Sequence, residues 1–185
     1  LIKSEGMESV RRLRSAFPGH VIVADMKVAD TGALEVEMAA KAGASVVCIL
    51  GDADDAVIAE AVRTASVFGV RLMADLINVS DPVVRSRELE ALGVHILNAH
   101  VGIDQQMIGK SSLGLLEAIR GAVGIEIAVA GGLDAHTAPQ ASARGADIVI
   151  VGGAITRSAD VQDSARKVRE ALDAPASGYT PKVSL

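Results

Sequence analysis

An α/β fold built on a parallel sheet is what this 185-residue chain predicts, and three observations predict it. Glycines at 19, 43, 69, 93, 124 and 145 each close a helical stretch and open an apolar run, as glycines that end helices do. The runs they open are short, continuous and rich in β-branched residues, the pattern of strands covered on both faces. Amphipathic stretches separate the runs at intervals of roughly 20–30 residues, which is a β/α unit repeated with right-handed crossovers.

Each element follows from its own residues. The opening Leu1-Ile2-Lys3-Ser4-Glu5-Gly6 reads as a strand-to-helix loop, and a helix is expected over 7–17. Strands are expected at 21–24, 45–50, 70–74, 94–99, 125–130 and 146–151, where Val, Ile and Ala predominate. Helices are expected at 33–42, 54–68, 82–92 and 113–123. Ser80 and Asp81 ahead of Pro82 make a strong helix start, with proline at the first helical position.

Composition removes several classes of function. A net charge of −5 with only Phe17, Phe68 and Tyr179 as aromatics lacks the basic face and stacking platforms of a nucleic-acid binder. No apolar run approaches the roughly 18 residues of a membrane span, and no signal peptide is visible. One cysteine, Cys48, excludes an intrachain disulfide, fits a reducing cytoplasm and reads as inert core. Leu1 is not an initiator methionine, so an amino-terminal portion is expected to precede it.

The strand ends choose between a barrel and an open sheet. Asp25, Asp75, His100, Gly131-Gly132 and Gly152-Gly153 all stand where a strand gives way to a loop. In a (β/α)8 TIM barrel every strand ends on one face, where the active site forms. An open doubly wound sheet concentrates such residues at one switch point behind a glycine-rich first turn, and no G-x-G-x-x-G follows an early strand. A barrel takes about 250 residues and rarely fewer than ~200. Residues 1–172 are therefore read as a barrel domain holding strands three to eight, with the first β-α-β portion missing ahead of Leu1. Residues 173–185 lose the helical pattern and read as a linker-like tail.

The chemistry concentrates in Asp25-Met26-Lys27-Val28-Ala29-Asp30. Two residues apart on a strand, Asp25 and Lys27 share a face, and Asp30 falls in the following turn. A lysine between two carboxylates keeps its charge, which suits a proton carrier or an oxyanion partner rather than a Schiff-base nucleophile. Alone, such a stretch reads as a surface ion-pair cluster. The glycine pairs and His100 change that reading. Gly131-Gly132 and Gly152-Gly153 are followed by helical segments, so backbone amides and a helix dipole can face a phosphate there. His100 ends its strand on the expected face of Asp25, Lys27 and Asp75, where an imidazole can move a proton. His20, His95 and His136 lack that setting and read as surface or loop residues.

Together, Ala24-Asp25-Met26-Lys27-Val28-Ala29-Asp30, Met73-Ala74-Asp75-Leu76-Ile77-Asn78, His100-Val101-Gly102-Ile103-Asp104 and Val151-Gly152-Gly153-Ala154-Ile155-Thr156 resemble the 3-hexulose-6-phosphate synthases of the orotidine 5′-monophosphate decarboxylase suprafamily. The resemblance covers most of the chain. It implies a metal-dependent aldol reaction, with Mg²⁺ or Mn²⁺, joining formaldehyde to D-ribulose 5-phosphate to give D-arabino-3-hexulose 6-phosphate, or the reverse. It further implies that Asp25 is a metal ligand, Lys27 steadies the enediolate oxygen and His100 moves the proton. Asp75 would orient water or sugar hydroxyls, and Asp30 would reach into the partner's site of a homodimer. The family's strand-one aspartate and strand-two glutamate, the latter a metal ligand, would precede Leu1. A second reading is a 3-keto-L-gulonate 6-phosphate decarboxylase, but that branch carries arginines where this chain has Ile103 and Gly153. A third, from another class, is an inactive truncated barrel that binds sugar phosphate or serves as an assembly module. Some relatives are fused to a second domain, which makes the tail a candidate junction to one.

Overall fold

The computed structural model describes residues 1–107, 109 and 111–174. The chain divides into two compact units, residues 1–98 with 121–126, and residues 99–120 with the chain from 127 onward.

The first unit opens with α1 (Ile2–Glu5) and α2 (Glu8–Ala16), then alternates β1 (Val23–Val28), α3 (Gly32–Lys41), β2 (Val46–Leu50), α4 (Asp55–Phe68), β3 (Arg71–Asp75) and α5 (Pro82–Ala91) before β4 (Ile96–His100) begins. Its strands pair in parallel and in chain order, β1 with β2, β2 with β3 and β3 with β4. Parallel strands covered on both faces must be apolar throughout, and Val46, Val47, Cys48 and Ile49 of β2 are all buried. Helix α4 turns Ile58, Ala61 and Ala65 inward at three- and four-residue steps, leaving its other face to water. Asp54 caps α4 by accepting the Ala56 N–H at 2.8 Å, and Asp81 caps α5 by accepting the Val84 N–H at 3.1 Å. Where α3 meets α4 the fit is close. A Cβ on Gly32 would stand 2.4 Å from the Val57 carbonyl oxygen, so only glycine lets α3 start there.

The second unit takes up the end of β4 and continues through α6 (Ile103–Met107) and α7 (Ser112–Arg120). Then come β5 (Glu126–Ala130), α8 (Ala138–Ala143), β6 (Ile148–Ile150), α9 (Gly153–Thr156) and α10 (Val161–Asp173). Here β5 pairs in parallel with β6, from Ala128 opposite Ile148 to Ala130 opposite Ile150. Among the described residues, no helix is long and apolar enough to cross a membrane.

Four of the six expected helix-ending glycines, Gly43, Gly69, Gly93 and Gly145, adopt the positive φ that this role favours. Three expectations need correction. The opening is a single helical turn rather than a loop, closed by Glu5 N–H to Leu1 O and Gly6 N–H to Ile2 O, both at 2.8 Å. The first strand begins at Val23 rather than 21 and runs on through Asp25 and Lys27 to Val28, because these charges are paired rather than excluded from the sheet. The expected tail at 173–185 starts inside α10, and from residue 175 it lies outside the described residues.

Candidate active site

Strand register brings the polar residues of the first unit to one face. Asp25 pairs with Cys48, Leu50 with Asp75, and Asp75 with Asn98. Paired residues in a parallel sheet point the same way, and Cys48 and Leu50 are two apart, so Asp25, Cys48, Asp75 and Asn98 share that face. Lys27 reaches the same place by another route. Between Asp25 and Val28 the ladder advances by one residue on β2, and Lys27 lies in the resulting bulge with φ +53°. Simple alternation, the basis for expecting Asp25 and Lys27 on one face, is therefore broken here. The left-handed backbone turns the lysine onto the cluster instead.

The result is a clamped ammonium. Lys27 Nζ donates to Asp25 Oδ1 at 2.8 Å and Oδ2 at 2.9 Å, and closely to Asp75 Oδ2. The second acid of the clamp is thus Asp75 and not Asp30. Burial works against the lysine's charge, but the hydrogen bonds to Asp25 and Asp75 outweigh it and hold its pKa above the ordinary lysine value. Asp75 is fully buried, and its carboxylate is fixed from three sides. Oδ1 accepts the Ile77 N–H at 3.0 Å, while Oδ2 takes Lys27 and the Asn98 Nδ2–H at 3.3 Å. Gly51 closes in from behind. Its N–H donates to Asp75 O at 2.7 Å, and a Cβ there would stand 2.9 Å from that oxygen.

Cys48, read from the sequence as inert core, and Asn98, not singled out there, both belong to this cluster. Cys48 Sγ and one oxygen each of Asp25 and Asp75 all lie within 4.8 Å of one another. Burial pushes the Cys48 thiol well up, and the Asp25 carboxylate beside it pushes the same way. Asn98 is 4% exposed, and its Oδ1 has no hydrogen-bond partner. An asparagine inside the apolar run Ile96-Leu97-Asn98-Ala99 was the available signal, since a buried amide in a strand needs partners. The Asp25 and Asp75 carboxylates are the hard oxygen donors that a divalent cation such as Mg²⁺ or Mn²⁺ takes.

The remaining residues take separate places. Asp30 lies beyond the end of β1, exposed, and accepts the Thr31 N–H at 2.7 Å. His95 is not a bare surface residue. Its Nδ1 accepts the Leu72 N–H at 3.1 Å, and burial followed by the nearby Arg71 charge lowers its pKa. In the second unit, His100 ends β4 half-buried. Gly131 and Gly132 follow β5 with φ of +105° and +70°. Helix α8 starts only at Ala138, so this pair offers backbone amides without a helix end. Gly152 and Gly153 open α9, which is a single turn. A Cβ on Gly153 would meet the Arg157 guanidinium at 2.5–3.1 Å, so that cation lies directly over the loop. Arg157 also went unnoticed in the sequence, although it stands four residues beyond Gly153, one helical turn. The Ile103 side chain lies outside the described set.

Comparison with known proteins gives this cluster its setting. The model of the orotidine 5′-phosphate decarboxylase / HUMPS family matches residues 1–168. The chain belongs to this family. Its parallel β/α units are those of the family's TIM-barrel fold. Within the family, the chain is 37% identical over 173 residues to the 3-hexulose-6-phosphate synthase of Bacillus subtilis, covering 93% of this chain and 82% of that one. The crystal structure of the 3-hexulose-6-phosphate synthase from Salmonella typhimurium superposes with a TM-score of 0.88 at 34% identity, over 92% of this chain and 82% of that one. The 3-keto-L-gulonate-6-phosphate decarboxylase of Vibrio cholerae is more distant, with a TM-score of 0.80 at 27% identity over 94% and 81%.

Proposed function

We propose that this protein is an aldehyde-lyase that condenses formaldehyde with D-ribulose 5-phosphate to D-arabino-3-hexulose 6-phosphate, or runs the reverse. The observation that carries the reading is the Lys27 ammonium held by Asp25 and buried Asp75 in a chain 37% identical to a named synthase. Condensation needs a proton removed from the sugar carbon beside the ketone, which leaves an enediolate. That carbon attacks formaldehyde, and the formaldehyde oxygen takes up a proton to become the new hydroxyl. Lys27, charged at neutral pH, is the donor for the enediolate oxygen. Asp75 holds the lysine in place, and His100 carries the proton. A divalent cation held by Asp25, Mg²⁺ or Mn²⁺, would supply Lewis-acid stabilisation of the oxygen charge. Gly131, Gly132, Gly152 and Gly153 present backbone amides to the sugar phosphate, and Arg157 adds the charge that amides alone lack.

The reading extends to assembly. The glycine pairs follow β5 and β6, as a barrel's phosphate loops follow its last two strands. Exposed Asp30 reaches a partner's site across a two-fold axis in a homodimer, and the single buried thiol suits a reducing cytoplasm.

The test is ribulose 5-phosphate-dependent consumption of formaldehyde, measured with Mg²⁺ and again in excess EDTA. Consumption that EDTA abolishes is the expected result. Carbon dioxide release from 3-keto-L-gulonate 6-phosphate, with no formaldehyde consumed, would move the protein to the decarboxylase branch.

A further inference from the structure

We infer that Arg85 is a positioning residue, which grips the loop between β2 and α4 and through it sets Asp75 and the Lys27 ammonium. The effect on turnover rests on the synthase reading given above, whereas the effect on the geometry of the cluster does not.

Arg85 stands on α5, and its side chain is only 16% exposed. Its guanidinium is directed almost entirely at one loop. Nε donates to Gly51 O at 2.7 Å, and Nη2 donates to Ala53 O at 3.0 Å. Nη1 meets the Asp55 carboxylate at 2.8 Å and that of Glu88, one turn along α5, at 2.9 Å. A planar fork of fixed geometry thus holds the loop at two carbonyls and at the first residue of α4. Lysine would keep the charge and could still meet Asp55 or Glu88. One ammonium on a flexible stem cannot fork onto both carbonyls as well. Gly51 and Ala53 are buried, so water is a poor substitute for the lost donors.

Gly51 carries the grip to the cluster. Its carbonyl accepts from Arg85, while its N–H donates to Asp75 O at 2.7 Å. The fit around it leaves no slack. A Cβ on Gly51 would stand 2.9 Å from Asp75 O, 3.1 Å from Leu76 Cδ2 and 3.4 Å from Val79 Cγ2. Asp75 in turn places Oδ2 on Lys27 Nζ and takes the Ile77 N–H on Oδ1. The contacts therefore run from guanidinium to Gly51, from Gly51 to the Asp75 main chain, and from its carboxylate to Lys27. A loop released by Arg85 frees the Asp75 backbone to shift. A displacement of about an ångström at a reacting group can cost on the order of 100-fold in rate.

The test uses the whole chain as Arg85→Lys and Arg85→Gln, with the double variant Asp55→Asn, Glu88→Gln as the contrast. Amide hydrogen exchange without substrate reads the geometry. The Gly51 and Ile77 amides, both donors to Asp75, should exchange about tenfold faster or more in the Arg85 variants. The Val47 amide, inside β2, should keep its wild-type rate and show that the sheet is intact. Kinetics read the consequence. In the Arg85 variants kcat for formaldehyde consumption should fall about tenfold or more, with KM for ribulose 5-phosphate held within about twofold. The double variant loses the ion pairs but keeps the bonds to Gly51 and Ala53, and should match the wild type in both measurements. Unchanged exchange at Gly51 and Ile77, an unchanged kcat despite faster exchange, or a double variant that reproduces the loss overturns the inference. A wild-type chain that consumes no formaldehyde, while its Arg85 variants still exchange faster, overturns the synthase reading and supports the hold of Arg85 on Asp75.

Discussion

Lys27 carries two burdens, a left-handed backbone and the charge that pairs with the buried Asp75 carboxylate. Single substitutions separate them. Removing the ammonium leaves a buried carboxylate uncompensated, which costs about 3–5 kcal/mol whichever small residue replaces it. The left-handed backbone costs an L residue about 1–2 kcal/mol and glycine almost nothing. Lys27→Gly should therefore be more stable to urea than Lys27→Ala by about 1 kcal/mol, although both lose formaldehyde consumption. Glycine inside a strand is ordinarily the less stable of the two by about 0.5–1 kcal/mol, so the order is reversed. An alanine variant that is the more stable would show that the bulge imposes no strain. The residue scale also shows how far the sequence could be read. Charges at the end of an apolar strand must be paired, and that made Asp25, Lys27 and Asp75 visible. The clamp's second acid was misjudged because nearness in sequence favoured Asp30, whereas Asp75 arrives through β3. Cys48 and Asn98 stayed hidden because only the register of β1 against β2, and of β3 against β4, places them opposite Asp25 and Asp75.

Among the elements, β3 and β4 are joined by a side chain as well as by their ladder. The Leu72 N–H donates to His95 Nδ1, which must be unprotonated to accept it. Burial and Arg71 lower the folded-state pKa of His95 below its usual 6.5. Below that value the unfolded chain binds the proton more readily than the folded one, so stability is complete above about pH 6.5 and falls as the pH drops through the folded pKa. His95→Asn places an amide oxygen near the Nδ1 position and does not titrate. Its urea midpoint should decline less between pH 7 and pH 5 than that of the wild type, and an unchanged slope would remove His95 from the account. Element order was legible because glycine punctuation and continuous apolar runs repeat with little interruption. Boundaries were less so. The first strand was cut short at its first charge, since an isolated sequence cannot show that a carboxylate inside the sheet has an ammonium waiting for it.

At the scale of the whole molecule, the barrel family was readable because a polar residue or a glycine pair ends five of the six expected strands, which a single switch point does not require. The division into two compact units was not, because the boundary falls inside β4, between Asn98 and Ala99, with no break in the apolar pattern. One feature of the first unit reports on the entire fold. Cys48 is the chain's sole thiol, and 1% of it is exposed. An alkylating reagent can reach it only when the interior opens, so the labelling rate is the reagent's intrinsic rate scaled by the fraction of time spent open. Labelling should be slow in buffer and should rise with urea as steeply as global unfolding does. Fast labelling that ignores urea would reveal a local path into the sheet. Iodoacetamide and a mass spectrometer would thus turn one sulfur atom into a clock for the barrel's breathing, readable in a crude extract and in any variant that keeps the cysteine.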